Sequence, residues 1–251
     1  MKILKILHEW PLSKVELVEI KGEKYILKSI HKDFINEVYM QKFLEKKCEK
    51  IRIPKVHWMK KEDKNIVFLM DYIKGRAKVS INDSLRLISK FHKETSNMKS
   101  RYFRNYDFNE FYKDFLKVKK HLPKKLKDRS KSELRIFLKG VFASQKSVVH
   151  GDFGKDQIIG GKNRYIIDLG KSFYGPSILD YGHLFLKDRR INRKSLTYIG
   201  TRETLIKSKI VVGVITLSWL ELCKKKYISY DYKKELKEYE DLLKYNLEAL
   251  K

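Results

Sequence analysis

The stretch "VVHGDFGKDQ", residues 148–157, places a His-Gly-Asp triplet after two apolar residues and before a short polar run. A second acidic residue, Asp168, ends another apolar run, "RYIID". Between them lies "GGKN", a turn signal that predicts a hairpin. Such a hairpin would bring Asp152, Gln157 and Asp168 into one pocket. Two carboxylates and a carboxamide suit an oxygen-ligated Mg²⁺, with one acid left over as a base.

The composition is that of a folded chain with a strongly basic surface. Of 251 residues, 42% are hydrophobic and 35% charged, which favours a sizeable core over disorder. The formal net charge of +26 favours polyanionic partners such as nucleic acid, nucleotides or an anionic membrane surface. Because the lysines are scattered along the whole chain, a solvated lysine-rich surface with no specific partner is the simpler explanation.

The cysteines, the first residues and the longest apolar stretch indicate the compartment in which the protein is expected. Cys48 and Cys223 are far apart and lack a CxxC spacing, so neither a disulfide framework nor a zinc site is suggested. The start, "MKILKILHEWPLS", has a lysine within its apolar run and no small-residue cleavage site, unlike a signal peptide. The apolar stretch "IVVGVITLSWL" is shorter than the roughly 20 residues that span a bilayer. We therefore expect a cytoplasmic protein.

The hydrophobic period changes along the chain. Up to about residue 70 the pattern predicts strands, namely "VELVEI" and "KYILKSI" joined by a turn at "KGE", then "KVHWM" and "NIVFLM". One helix, "DFINEVYMQKFLEKK", interrupts them, with Asp33 as its expected N-cap. These segments predict a small sheet with one helix.

Apolar residues three and four apart predict helices in the rest of the chain. Four segments carry this pattern: "NDSLRLISKFHKE", "DFNEFYKDFLKVKKHL", "SELRIFLKGVFASQ" and "DYKKELKEYEDLLKYNLEAL". We therefore predict an α+β fold with a sheet-rich N-terminal domain at residues 1–72 and a larger, mainly helical domain at residues 73–251. A hinge near residues 71–74 joins them.

Lys28 lies in "YILKSI", where strand alternation places it on one face with Ile26 and Ile30. An unpaired ammonium on an apolar face is costly, so the lysine needs an anionic partner. Glu37, on the helix that follows, is the natural candidate, and the pair could present the ammonium to nucleotide phosphates. A lysine that extends to the surface is the plainer alternative for this position alone.

Taken together, the ordered motifs resemble those of the aminoglycoside phosphotransferase and choline kinase superfamily, which has a protein-kinase-like fold. "HGDFGKDQ" followed by "IIDLGKS" is similar to the family's HGDxxxxN and IDxG elements. Lys28, Glu37, the strand "VFLMDYIKG", the helix "LISKFHKET" and Asp180 follow in the family's order. The resemblance covers most of the chain and implies a bilobal fold with a small antiparallel-sheet N-lobe and a larger helical C-lobe.

The resemblance also implies roles for individual residues. Asp152 would be the catalytic base that orients and deprotonates an acceptor hydroxyl, and Asp168 would hold Mg²⁺ against the phosphates of ATP or GTP. Gln157 would occupy a second metal-ligand position. The remaining residues implied to bind or support the nucleotide are Lys28, Glu37, Ser13, Asp71 and Tyr72. His150 and Asp180 would brace the catalytic loop.

Two departures from the family pattern favour weak activity. Gln157 stands where the family usually has Asn, and its extra methylene shifts the amide oxygen. The expected phosphate-covering loop, "HEWPLSKVELV", contains no glycine, so the Ser13 hydroxyl or amide, with Lys14 nearby, would replace backbone contacts. A kinase-shaped protein with little or no catalysis is therefore an open alternative.

The acceptor is the least determined part of the prediction. Residues 171–251 contain 10 Asp and Glu against 17 Lys and Arg, so no acidic excess favours a polycationic antibiotic. We expect a hydroxyl of a sugar, aminoglycoside or similar metabolite, with a glycolipid core sugar at a membrane surface as an alternative.

The basic run "KVKKHLPKKLKDRSK", residues 117–131, defines the rival class of function. It could contact an anionic membrane or nucleic acid, although a solvated helix face is the simpler interpretation.

Overall fold

The N-terminal half of the fold is one antiparallel sheet. The computed structural model describes residues 1–75, 79–187, 193–226 and 231–250, with only the backbone at 193–195. Its first elements are β1 (Lys2–Trp10), β2 (Ser13–Ile20), β3 (Glu23–His31), α1 (Asn36–Lys47), β4 (Val56–Lys61) and β5 (Asn65–Asp71). The strand order is β1-β2-β3-β5-β4, with every neighbouring pair antiparallel. The predicted hairpins β2–β3 and β4–β5 are confirmed.

The two N-terminal turns have different backbone geometry. Lys21 and Gly22, between β2 and β3, have φ of 53° and 84°, the double positive φ of a type I′ turn. Between β1 and β2 only Pro11 and Leu12 intervene, and neither has positive φ. The segment expected to cover the phosphates, residues 8–18, does lie between the first two strands, where it forms a tight hairpin, and its role at the phosphates stays a prediction. A turn of this kind needs no glycine.

The start of α1 also differs from the prediction. Ile35 is the N-cap and provides no side-chain hydrogen bond. Asp33 lies one turn earlier, in a short 3₁₀ helix, where its backbone N–H donates to Nδ1 of His31. The carboxylate of Asp33 instead pairs with Lys226 at 2.7 Å. The predicted cap was wrong because the extra turn displaces Asp33 from the helix end.

The C-terminal part is mainly helical, as predicted. Its elements are α2 (Ile81–Thr95), α3 (Phe108–Lys117), α4 (Lys124–Lys127), α5 (Lys131–Phe137), α6 (Lys139–Phe142), β6 (Lys146–Val149), β7 (Ile158–Ile159), β8 (Tyr165–Ile166), β9 (Phe173–Pro176), α7 (Ile178–Leu184), α8 (Arg193–Ile199), α9 (Arg202–Lys226) and α10 (Lys233–Glu248). The segment expected as one helix at residues 132–145 is divided into α5 and α6 at Leu138.

Helix α9 is the centre of the helical part and packs against α3, α7 and α10. It is apolar on several sides, and Ile210, Val211, Val214 and Leu217 are fully buried. A helix of this kind is stabilised by neighbours all round it. No helix within the described ranges has both the length and the apolar character needed to cross a bilayer.

Two small sheets carry the loops of interest. The predicted hairpin β7–β8 is confirmed, with Ile158 opposite Ile166. Strand β6 pairs with β9, a partner that the sequence pattern did not indicate. The loop with Asp152 therefore leaves one anchored strand, and the loop with Asp168 leaves another. The domain boundary at residue 72 stays a prediction; residues 76–78, just beyond the expected hinge, lie outside the described part of the chain.

Candidate functional site

A cavity of about 400 Å³ lies between the N-terminal sheet and the helical part. Its wall includes five of the predicted residues, namely Ser13, Lys28, Glu37, Asp152 and Asp168. They come from β2, β3, α1 and the loops after β6 and β8. The predicted hairpin therefore does bring the two aspartates to one cavity, beneath the lysine of the sheet.

Lys28 connects the two halves of the cavity. Strand alternation places it with Ile26 and Ile30, both of which are buried. Its Nζ contacts Oε1 of Glu37 and lies 3.0 Å from Oδ1 of Asp168. Although burial opposes the charged form, these two carboxylates raise the pKa of Lys28 above its ordinary value. Lys28 is therefore a positively charged ammonium with two carboxylate partners, in agreement with the sequence argument that it needs an anionic partner.

Asp168 occupies a strained backbone position. Its φ of 64° and ψ of 61° are left-handed, a conformation that costs most non-glycine residues about 1–2 kcal/mol but is tolerated by aspartate. Half of the side chain, 49%, is accessible. The charge of Lys28 lowers the pKa of Asp168 in spite of burial. Asp168 is thus an ionised carboxylate in contact with the lysine.

Asp152 has different partners. Its Oδ2 lies 2.7 Å from Nζ of Lys171, and its Oδ1 lies 3.0 Å from Nε2 of His183. Burial favours the neutral acid, yet the hydrogen bond from His183 and the charge of Lys171 hold the pKa of Asp152 well below its ordinary value. The side chain remains 28% accessible. An ionised acceptor is thus exposed to the cavity.

Asp180 anchors the loop that carries Asp152. This buried carboxylate accepts the backbone N–H groups of His150 at 2.8 Å and Gly151 at 3.0 Å. It also lies 2.9 Å from Nε2 of His92 on α2. Although burial opposes ionisation, the contact with His92 lowers the pKa of Asp180. Asp180 therefore connects the loop that carries Asp152 to helix α2.

His150 links the two aspartate loops. Its Nε2 lies 2.8 Å from the carbonyl oxygen of Ile167, so Nε2 carries the ring proton and donates a hydrogen bond to that oxygen. Its Nδ1 then accepts the backbone N–H of Asp152 at 3.3 Å. The expected bracing role of His150 matches these contacts. The intervening Gly151 has φ of 81°, and a Cβ there would lie 2.3 Å from the carbonyl oxygen of Lys171. Only glycine fits so close an approach.

The tip of the β1–β2 hairpin forms part of the cavity wall. Trp10 stacks on Trp219 of α9 with ring centroids 5.5 Å apart, and Leu12 is buried. The ammonium of Lys171 lies 4.4 Å from the centroid of the same Trp219 ring. Aromatic stacking and a cation–π contact thus connect the hairpin to the partner of Asp152.

The remaining predicted residues lie in different places. Ser13 lines the cavity at the start of β2. Asp71 ends β5, where its oxygens contact His57 and the backbone N–H of Lys55. Tyr72 follows it and is half-buried. Gln157 is not on the cavity wall, and its amide donates to Asp156 at 2.9 Å.

The donor set fits one Mg²⁺ ion bound with a nucleotide. The described residues contain no cluster of three or more histidine, cysteine or carboxylate side chains that could hold a metal by themselves. Mg²⁺, however, usually takes one or two carboxylates and completes its shell with phosphate and water oxygens. Asp168 is half-accessible and engages Lys28 through Oδ1 alone. Both oxygens of Asp152 are already paired, with Lys171 and with His183.

Sequence reasoning missed Lys171, His183 and Trp219. Lys171 follows Asp168 by three residues, and His183 follows Asp180 by three on a helix, so each lies close in sequence to an aspartate of a motif. A cation beside a motif carboxylate is the signal that could have found them. Trp219 gave no such signal because its apolar helix predicts only core.

Comparisons with known proteins agree with this geometry at the level of the fold. No protein-family model matches the sequence, and no curated protein matches it either. Among solved structures, a thermostable mutant of the aminoglycoside phosphotransferase APH(4)-Ia, in a ternary complex with ADP and hygromycin B, superposes with a TM-score of 0.70. The identity is 10%, over 98% of this chain and 93% of that one. The chain has the fold of these phosphotransferases.

Two further structures extend the likeness to other members of this fold. A choline/ethanolamine kinase family protein from Mesorhizobium loti has a TM-score of 0.68 and 16% identity, covering 98% of this chain and 87% of that one. The GDP complex of aminoglycoside 2'-phosphotransferase-IIIa has a TM-score of 0.66 and 16% identity, over 98% and 93%. The predicted kinase-like α+β fold is therefore confirmed.

Proposed function

We propose that the protein is a small-molecule kinase that transfers the γ-phosphate of ATP or GTP to a hydroxyl of a sugar, aminoglycoside or similar metabolite. The observation that carries this proposal is the position of Lys28, whose ammonium contacts both Glu37 and Asp168 on the wall of a cavity that also holds Asp152. Phosphoryl transfer depends mainly on positioning and charge neutralisation, so an ammonium, a metal-binding carboxylate and one acceptor carboxylate suffice.

The sheet side of the cavity would bind the nucleotide. Lys28 would contact the α- and β-phosphates, and Glu37 keeps its ammonium in place. Ser13, on the same wall, offers a hydroxyl to a phosphate oxygen. Asp71 and Tyr72 would present their backbone to the base. Mg²⁺ held by Asp168 would neutralise phosphate charge.

The helix side would bind the acceptor. Asp152 stays ionised because its cationic partners lower its pKa, so it accepts a hydrogen bond from the acceptor hydroxyl and aims the oxygen at the γ-phosphate. In the loose transition state expected for phosphoryl transfer, the proton passes late to the Asp152 carboxylate. Lys171 and His183 hold that carboxylate in one orientation.

The cavity chemistry favours a ring with hydroxyls over a polycation. Trp219 and Tyr239 line the wall near Asp152, and aromatic faces can pack on the C–H face of a sugar. A second cavity, of about 430 Å³, adjoins the first and shares Lys171 and Trp219 with it. Its two carboxylates are already engaged, Asp114 by Tyr106, Lys117 and Ser218, and Glu221 by His121. Ammonium groups of an antibiotic would have to compete with these contacts.

An acceptor panel tests the proposal. Purified protein is assayed for Mg²⁺-dependent consumption of ATP and of GTP in the presence of sugars, aminoglycosides and amino alcohols. Asp168→Asn serves as the blank, and Asp63→Asn, an exposed turn residue on the sheet, as the matched control. Turnover in the wild type and control but not in the blank would support the proposal. Indistinguishable rates in all three proteins, with every acceptor, would contradict it.

A kinase-shaped protein with weak catalysis is the second candidate. Two observations favour it: the Gln157 amide is bound to Asp156 away from the cavity, and the stacked rings of Trp10 and Trp219 occupy part of the cavity wall. This candidate predicts nucleotide binding, measured by equilibrium titration, without acceptor-stimulated turnover. A glycolipid core sugar kinase would instead be active only with an acceptor presented on vesicles.

A further inference from the structure

Another concave surface lies apart from the cavity between sheet and helices. It has a volume of about 400 Å³ and shares no lining residue with that cavity. Its walls come from the segment after α1, the exposed face of α2 and the turn between β7 and β8. Six cationic side chains line this cationic groove: Lys50, Arg52, Arg86, Lys90, Lys162 and Arg164.

The cations in the groove are almost entirely unbalanced. Asp83 is the single carboxylate on its wall, and it pairs with Arg164 at 3.2 Å while also capping α2 through Ser80. Glu94, farther along α2, accepts the backbone N–H groups of residues 49 and 50. Within the described ranges no other ion pair involves a groove cation. About five positive charges therefore share one concavity without a counterion from the protein.

Two of the arginines have contacts that place them at the groove. The carbonyl of Arg52 accepts the backbone N–H of Ile166 at 3.0 Å, which attaches this segment to β8. The guanidinium of Arg52 lies 5.9 Å from the centroid of the Tyr165 ring. Arg164 is held by its ion pair with Asp83. The fold thus brings both arginines, from segments far apart in sequence, to the groove.

The arginine content distinguishes the groove from the generally lysine-rich surface. The chain has 12 arginines, and three of them, from distant parts of the sequence, meet here. A lysine-rich composition explains scattered lysines but not this convergence. Guanidinium groups bind phosphate oxygens in a planar, bidentate manner that ammonium groups cannot reproduce.

We propose that the cationic groove binds the phosphate backbone of a single-stranded nucleic acid. Arg86 and Lys90 lie one turn apart on α2, about 6 Å between Cβ atoms, so they can contact successive phosphates of one strand. Arg52, which lines the groove, is exposed, and the plane of its guanidinium can stack on an unpaired base of a single strand.

The shape and composition of the groove argue against a lipid surface as its partner. Membrane-binding surfaces combine basic residues with apolar side chains that insert between headgroups. Leu87 is the single aliphatic side chain on this wall, and the wall is concave. The largest group of exposed apolar residues lies elsewhere, at Ile3, Leu4, Ile6 and Leu7 of β1.

A salt titration with matched variants tests the proposal. Fluorescence anisotropy follows the full-length protein binding a short labelled single-stranded RNA between about 50 and 200 mM salt. Arg52→Gln/Arg86→Gln removes two groove cations. Arg101→Gln/Arg135→Gln removes the same charge and residue type from exposed sites outside the groove. Thermal unfolding verifies that all three proteins are folded.

The groove variant is expected to bind about tenfold more weakly or worse, because each lost phosphate contact removes a charge-assisted bond. Its plot of log K against log salt should be less steep by about 1.4, roughly 0.7 for each contact. The control variant should match the wild type. Equal losses in both variants, or binding to phosphatidylserine vesicles but not to RNA, would overturn the proposal. Acceptor-stimulated turnover should be unaffected in both variants, which separates this test from that of the kinase.

Discussion

Two carboxylates face one cavity, yet different parts of the molecule hold them. Asp168 is paired with Lys28 of the sheet, and Lys28 is itself buried against Glu37. Asp152 is paired with Lys171 and His183 of the helical part, which remain 35% and 17% accessible. If one partner of the buried Lys28–Glu37 pair is removed, the other is left without water or a counterion. If one partner of Asp152 is removed, water can solvate the remaining charge, because these pairs are more accessible.

The residues around Lys28 and those around Asp152 therefore contribute differently to folding and to the proposed activity. The Lys28 group joins sheet, helix α1 and the Asp168 loop, so it contributes both to the fold and to the proposed nucleotide site. The Asp152 group lies within the helical part and serves the proposed acceptor site with less effect on stability. Substitutions on the two sides should therefore have unequal effects on folding and on turnover.

The largest expected effect is on turnover, through Asp152. Asp152→Ala removes the acceptor-orienting carboxylate and is expected to lower kcat by about 10²- to 10⁴-fold. Nucleotide affinity, measured by equilibrium titration, should be retained because the sheet side is untouched. The exposed Asp63→Ala is the matched control and should keep full activity. Unchanged turnover in Asp152→Ala would remove this residue from the mechanism.

The second prediction compares two lysines. Lys28→Met leaves Glu37 buried without its cation and is expected to lower the free energy of unfolding by about 3–5 kcal/mol. Lys171→Met breaks a partly exposed pair and should cost no more than about 1 kcal/mol. Urea unfolding followed by tryptophan fluorescence measures both. Equal losses would show that burial does not distinguish the two sides.

Acid should destabilise the protein through the carboxylates. The pKa of Asp152 is lowered in the folded state, so as the pH falls below its ordinary value of about 3.9 the unfolded chain takes up a proton that the folded chain does not. Its contribution is therefore complete above about pH 5 and is lost below that. Asp152→Asn should reduce the acid slope of the unfolding free energy by up to about 1.4 kcal/mol per pH unit. Urea midpoints at successive pH values measure this, and parallel curves for the two proteins would contradict it.

The smallest effect concerns the backbone. At the left-handed position of Asp168, glycine should give a protein about 1 kcal/mol more stable than alanine does. At Asp152, which has no positive φ, the order should reverse, with alanine better by about 0.4–1 kcal/mol. Thermal unfolding of the four variants measures both differences. The same order of stability at both positions would contradict the expected cost of the left-handed backbone at Asp168.

Local patterns predicted much of the fold and part of the site. The hairpin at Lys21 and Gly22, the alternation around Lys28 and the hairpin between β7 and β8 depend on neighbours in the sequence, so single-sequence reasoning found them. The same logic failed for Asp33, because a short 3₁₀ turn shifts the helix start by tertiary contacts. The sequence also did not show how tight the turn between β1 and β2 is, because that depends on how the two strands pair.

The chain's own residues determined the order of sheet and helices and the identity of Lys28, Asp152 and Asp168 as charges that needed partners, because those depend on local period and residue chemistry. Only the tertiary structure decided which charges meet. Lys171 and His183 reach Asp152, three arginines converge on one groove, and Gln157 remains outside the cavity, since each depends on contacts between segments far apart in sequence.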